Sequence, residues 1–281
     1  MAVAADVRVR PPRLYTSNKV LDNLLGGFEV AKVTFLNSAS NFVHDLVFLL
    51  CVRHILDFDR EVVYVDGGNS INPYTISSIA KRYGKSRQEV LGRIRVARAF
   101  TAYQMSSILL ESLEEEVRAG PGLLVLSCLP DLFLDEDVEY REAYHLLRRG
   151  LKKVRDLVKE EELIGLVTNH GLSHLSRRRG IGNLLHQMAD RVVRIQSIKG
   201  GLVISLPREG RSTPFIPVPP NQSILEDYAP RQFSPQEPIL KLLKDSKKDQ
   251  ERRTRQIEIS AFRLSSGHRP GMGRSTAEDL P

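Results

Sequence analysis

No stretch of this 281-residue chain is apolar for the roughly 18–20 residues that a membrane span needs. The N-terminal MAVAADVRVRPP also lacks the apolar run of a secretory signal. A soluble, cytoplasmic protein with no membrane partner is therefore expected. Cysteine is scarce: Cys51 and Cys128 stand alone, at no metal-type spacing and inside apolar runs. That pattern points to buried thiols and away from a disulfide or a redox pair. No internal repeat is evident, so a stacked solenoid is not expected either.

What is present fits one globular core. At 41% hydrophobic, the chain can supply one domain of about 200 residues with flexible ends. The formal charge of +7 and a pI near 9.5 favour polyanionic partners, which bears on association and not on fold.

Between residues 15 and 220, short β-rich runs alternate with longer helical patterns, the signature of repeated βα units around a mainly parallel sheet. Strands are predicted near Val33–Asn37, Glu61–Asp66, Ile94–Arg98, Leu123–Ser127, Leu163–Thr168, Arg191–Gln196, Leu202–Leu206 and Phe215–Val218. Several are continuously apolar, as strands covered on both faces are. Met105, Ile108, Leu109, Leu113 and Val117 form one apolar stripe of helical period, and Tyr140, Tyr144, Leu147, Leu151, Val154 and Val158 another. Ser86 followed by Glu89 reads as a capping box, and Asp135, Glu136 and Asp137 place negative charge where the next long helix is predicted to begin. Lys199-Gly200-Gly201 reads as a hairpin turn, so the sheet is expected to end in an antiparallel extension.

Residues 1–14 read as an arm: Val7-Arg8-Val9-Arg10 has strand alternation, stopped by Pro11-Pro12. Residues 221–281 are rich in Pro, Ser, Gln and charge, and a largely disordered tail is expected there, with a short helix at Pro238–Leu243.

The segment SNKVLDNLLGGFEVAKV, Ser17–Val33, resembles the start of the core of archaeal RadA and related RecA-family recombinases, where an LDxLLGGG turn leads into the P-loop strand. IAKRYGKSRQEVLGRIRVARAF, Ile79–Phe100, resembles the helix, capped turn and strand that follow the family's second core strand. LLVLS stands in the Walker B place, LVTNH at Leu166–His170 in the sensor strand, and GIGNLLHQMADRVVRI at Gly180–Ile195 matches further on. The resemblance covers about 200 residues in the family's order and implies a RecA-like three-layer α/β core.

The same alignment predicts that the chemistry is missing. A P-loop uses glycines to turn backbone N–H groups around phosphates, a Lys for charge and a Ser or Thr for magnesium. The matching run is NSASNFVHDL, and the four pattern positions fall on Ser38, Val43, His44 and Asp45. Val43 is β-branched, His44 is shorter than Lys and mostly neutral at pH 7, and Asp45 puts a carboxylate where phosphate oxygens would sit. Like charges about 4 Å apart repel by roughly 1 kcal/mol in water and by more near a protein surface. The Walker B carboxylate position is Ser127, the family's catalytic Glu falls on Gly68, and the Gln after Asn169 is His170. No catalytic residue, no nucleotide and no metal cofactor is therefore expected. ATP and magnesium, held around Asp66 or Asp45, belong only to an alternative reading as a divergent KaiC-like ATPase.

In the recombinases two loops hold single-stranded DNA. The second corresponds to GLSHLSRRRG, where Arg177, Arg178 and Arg179 are candidates to follow a phosphate backbone, the bland alternative being a solvated basic loop. Lys199 is a further candidate. The first loop carries Asp131, Asp135, Glu136, Asp137 and Glu139, which would repel DNA. Arg148, Lys152, Arg155 and Lys159 line one side of the helix after it, the pattern of an exposed face. His170, His174 and His186 lack a carboxylate or Cys at ligand spacing, so no metal is assigned to them. Ser127-Cys128 has no base partner in sequence, which speaks against a nucleophile.

RadA recombinases carry a helix-hairpin-helix domain and an aromatic linker plug ahead of the core. Neither is found before residue 15, so filament assembly by that route is not expected, although the Val7–Arg10 arm can add a strand to another subunit's sheet edge. Three readings result: a non-catalytic accessory protein of recombination and repair that binds single-stranded DNA, a recombinase or another RecA-family subunit; a divergent ATPase; or a protein scaffold without DNA binding.

Overall fold

The computed structural model describes residues 12–171 and 178–217. The Val7–Arg10 arm and the 221–281 tail with its predicted helix lie outside the described residues.

Chain order runs β1 (Arg13–Leu14), α1 (Lys19–Leu25), β2 (Phe28–Glu29), β3 (Lys32–Ser38), α2 (Phe42–Phe58), β4 (Val62–Asp66), α3 (Pro73–Arg82), α4 (Arg87–Leu91) and β5 (Ile94–Arg98). It continues through α5 (Ala102–Ser107), a π turn (Ile108–Ser112), α6 (Leu113–Arg118), β6 (Leu123–Ser127), a 3-10 turn (Asp131–Leu134), α7 (Tyr140–Glu160) and β7 (Ile164–His170). The last described elements are α8 (Arg179–Met188), β8 (Arg191–Ile198), β9 (Gly201–Leu206) and β10 (Arg211–Phe215). One eight-stranded sheet has the order β10-β9-β8-β3-β7-β6-β4-β5, parallel from β8 to β5 and antiparallel across β8-β9-β10. The expected three-layer α/β core is what forms.

Side-chain alternation along the strands divides the core in two. Leu36, Tyr64, Val125, Leu166 and Val193 pack with α1 to α4 on one face. Val33, Phe35, Val65, Leu126 and Val192 pack with α5 to α8 on the other. The central strands are buried on both sides, which is why they read as unbroken apolar runs. Both helical stripes face inward, except that Tyr140 stays 43% exposed. Gly150 lets α7 come close: a Cβ there would stand 2.8 Å from Leu109 Cδ1.

Three sequence expectations are corrected. The final strand is Arg211–Phe215, not Phe215–Val218, because the Arg208–Gly210 turn feeds it directly and Pro214 is tolerated on an edge strand with no ladder donor. The 1–14 arm does not end at residue 14 as a separate piece: Leu14 is fully buried and Arg13–Leu14 pairs with Phe28–Glu29. The Asp135–Asp137 run precedes α7 instead of opening it, and the helix starts at Tyr140 behind Glu139. Of the capping box one half forms, with Ser86 Oγ accepting from Glu89 N at 3.1 Å, while the Glu89 carboxylate pairs with Lys85.

Cys51 and Cys128 are buried free thiols; burial pushes Cys51 far up and Cys128 up to about 11. No described helix is long and apolar enough to cross a membrane.

Candidate functional site

The carboxyl ends of β3, β4, β6 and β7 bring together the positions singled out in the sequence. Strand register places Asn37 beside Asn169, Ser38 beside His170, and Asp66 beside Ser127. Each group then has a local partner.

The turn after β3 is short, since α2 begins at Phe42, and Val43 is a fully buried residue of its first turn. No positive φ is required of Val43, so its β-branch is compatible with the backbone it adopts. The turn's N–H groups point to the protein itself. Ala39 N donates to Ile195 O at 3.1 Å, Ser40 N to Ser38 Oγ at 2.9 Å, and Phe42 N to Ser40 Oγ at 3.3 Å. Val43 N donates to Ser40 O at 3.3 Å and His44 N to Asn41 O at 2.9 Å. A phosphate cradle needs such donors converging on an anion. Asp45 lies in the first turn of α2, where the helix dipole favours a carboxylate, and partial burial raises its pKa.

His44 and His170 face each other with ring centroids 5.3 Å apart, and His44 also stacks on Phe48. Burial first, and His170 second, lower the pKa of His44, so it is neutral near pH 7. The two lie about 130 residues apart in sequence, and only the parallel pairing of β3 with β7 brings them together.

Asp66 is fully buried at the end of β4 and organises the next loop. Its Oδ1 accepts from Gly68 N (3.2 Å), Ser70 N (3.0 Å) and Ser70 Oγ (3.0 Å), and its Oδ2 from Ile71 N at 3.1 Å. Ser127 Oγ hydrogen-bonds Ser70 Oγ at 2.7 Å, closing the network. A Cβ on Gly68 would stand 2.6 Å from Cys128 Cβ. Cys128 adopts φ 51°, a strained left-handed conformation for a residue with a side chain. Asn169 ties β7 to β3 through Nδ2 and Asn37 Oδ1 at 2.9 Å. A Gly-Lys-Ser tripeptide does occur, at Gly84–Ser86, but Ser86 caps α4, Lys85 pairs with Glu89, and Ile79 stands where a P-loop has its first glycine.

The basic loop is split by the structure. Arg177 and His174 lie outside the described residues. Arg178, expected to be available to a phosphate, instead donates to Phe133 O (3.1 Å), Asp135 O (2.9 Å) and Val138 O (3.2 Å), fastening the acidic loop before α7. Asp131 in that loop is half-buried with its carboxyl pushed up to about 6 by burial, while Asp135, Glu136, Asp137 and Glu139 are exposed. Arg179 is exposed at the start of α8. Lys199 is exposed in the β8–β9 turn, at the same carboxyl end of the sheet, since β8 runs parallel to β3. His186 packs edge-on against Phe35 at 5.6 Å and is not the neighbour of His170. Among the described residues no three His, Cys, Asp or Glu side chains are grouped to hold a metal ion.

Comparison with known proteins adds the context for this geometry. The family model described as Rad51 matches residues 8–183. The chain is 25% identical over 173 residues to the DNA repair protein RAD51 homolog B of Zea mays, covering 56% of this chain and 49% of that protein. It is 27% identical over 157 residues to the DNA repair protein RAD51 of Mycosarcoma maydis, covering 50% and 45%. It is 24% identical over 173 residues to the DNA repair protein RAD51 homolog 1 of Arabidopsis thaliana, covering 56% and 49%. The chain thus spans about half the length of the curated relatives it matches.

Proposed function

Because the chain belongs to the Rad51 family, and because the turn after β3 turns its donors inward, we propose that it is a non-catalytic accessory protein of homologous recombination and DNA repair. It binds single-stranded DNA, a recombinase or another RecA-family subunit, or both, and does not hydrolyse ATP. The observation that carries this is the internal satisfaction of Ala39, Ser40, Phe42, Val43 and His44 N–H groups, together with Asp66 engaged by its own loop.

Support for a protein partner comes from β5. It is the edge strand, so one side of its backbone is unpaired by the sheet, and Val96, Phe100 and Tyr103 beside it are 48%, 66% and 52% exposed. An edge strand beside apolar side chains suits strand addition by a partner. Support for DNA rests on Arg179 and Lys199, both exposed.

The test is a paired titration of the purified chain with labelled single-stranded DNA and with a fluorescent ATP analogue plus magnesium, beside a pull-down with a Rad51-family recombinase. Salt-sensitive DNA affinity or recombinase association, with no ATP-dependent rise in melting temperature, is expected. A ligand at 100 times its Kd adds about 2.7 kcal/mol, so a clear ATP-dependent shift would establish the ATPase reading instead. Recombinase association that survives Arg179→Ala/Lys199→Ala without any DNA affinity in the parent would assign a scaffold.

A further inference from the structure

The exposed face of α7 carries a straight row of cations that the proposed role does not use. Arg141, His145, Arg148, Lys152, Arg155 and Lys159 follow one another at steps of four, three, four, three and four residues, which keeps them on one line of the helix. All six are exposed, and the line runs for about 27 Å. Like charges one turn apart destabilise a helix, so the pattern works against the element that displays it.

Several described arginines elsewhere are matched. Arg53 pairs with Asp57 at 2.7 Å, Arg93 with Asp59 at 2.6 Å, Arg95 with Glu116 at 2.7 Å and Arg211 with Glu209 at 3.2 Å. In the row, only Arg155 has a carboxylate within ion-pair reach among the described residues, Asp190 at 3.9 Å. The helix's acidic side chains Glu142, Asp156 and Glu160 lie to one side, toward the flank where Lys153 pairs with Glu114.

At the N-terminal end of the row the opposite flank carries two aromatic rings. Tyr140 and Tyr144 lie with ring centroids 6.3 Å apart, and Tyr140 is 43% exposed although it belongs to the apolar stripe. Tyr140 also meets Gly180, whose missing Cβ makes room for its hydroxyl. A cationic track with an exposed aromatic ring at one end can hold a single nucleic-acid strand, phosphates on the cations and a base face on the ring. An acidic helix would use the charges alone.

We propose that the outer face of α7 is a binding track for single-stranded nucleic acid, separate from the candidate loop and turn residues Arg179 and Lys199. The test compares Arg148→Ala/Lys152→Ala/Lys159→Ala with Arg179→Ala/Lys199→Ala, using a labelled 30-nucleotide single strand titrated at several salt concentrations. All five positions are exposed and none has an ion pair among the described residues, so the melting temperatures should stay at that of the parent. Loss of three phosphate contacts on a single strand lowers the salt slope by about 2 and the affinity at 0.1 M salt by about 100-fold. The α7 triple variant should show both. If it binds as the parent does while the Arg179/Lys199 variant loses affinity, the track is overturned and the loop reading stands. If the α7 triple variant alone loses affinity, the track stands and the loop reading falls. No binding by the parent overturns both, and a duplex or polyglutamate bound as tightly as the single strand overturns the assignment of the track.

Discussion

The two faces of the sheet carry similar numbers of helices and use their polar groups in opposite directions. On the α1–α4 face, donors and charges point back into the protein: the Ser38–His44 turn closes on itself, Asp66 holds its own loop, and Arg53 and Arg93 meet carboxylates on their own side. On the α5–α8 face, the row from Arg141 to Lys159 on α7 points to solvent, with Arg155–Asp190 at 3.9 Å its one carboxylate contact among the described residues. The same fold can thus fill its strand-end turn with internal hydrogen bonds and still present a charged surface on the layer opposite. Substitutions on the first face should therefore register as stability, and those along α7 as binding with stability changed by no more than about 0.5 kcal/mol.

The sharpest way to break this contrast is at Gly68. Gly68→Ala should cost about 2–3 kcal/mol, because the new Cβ meets Cys128. In a Cys128→Gly background, where the left-handed backbone also relaxes, the same substitution should cost much less. Urea midpoints for the four chains of this cycle measure the coupling, and additive losses would show that Cys128 does not close the site.

His54 comes next. Both its ring nitrogens are buried without a partner among the described residues, and burial, then Arg60 and Arg93, lower its pKa to about 3. The unfolded imidazole titrates near about 6.5, so between these values the unfolded chain binds a proton that the native state refuses. Stability contributed by neutral His54 is full above about pH 6.5 and falls as pH drops, by about 2 kcal/mol at pH 5. Relative to the parent, His54→Leu should remove that part of the slope, as read from urea midpoints at pH 7.5 and 5. The comparison between chains matters because Asp57, raised to about 6 by burial, has the opposite sign: its native state holds a proton more tightly and gains stability as pH falls.

On the other face, Arg178→Ala removes three donors from the carbonyls of residues 133, 135 and 138 and should cost about 1.5 kcal/mol. Amide exchange should rise in residues 131–139 and not in α2; unchanged exchange would return Arg178 to the pool of free loop cations. The smallest effect is at α4, where Ser86→Ala removes the cap on Glu89 N and should cost about 1 kcal/mol by thermal melting.

Legibility followed range along the chain. The capping box, the apolar strands and the inward stripes are local patterns, and Ile94–Arg98 and Leu123–Ser127 form at the predicted bounds. The last strand was misread because the apolar alternation near Phe215 looked stronger than the polar edge strand ahead of it. At the site, the residue types at positions 38, 43, 44, 45 and 127 were readable, but where their donors go was not. Arg178 illustrates the limit: as one of three adjacent arginines it looked like a ligand, and only the approach of α8 to the loop before α7 gives it three carbonyls.

By itself the sequence determined the βα order, the parallel core and the chemical identity of the groups at each strand end, because side-chain period and residue type are properties of neighbours along the chain. Tertiary structure alone decided that His44 meets His170, that Cys128 closes the space beside Gly68, and that Arg141, Arg148, Lys152 and Lys159 of α7 have no ion pair among the described residues. Those outcomes depend on which strands lie side by side and how closely the helices approach. Burial and pairing are set by that distance in space, which residue order does not contain.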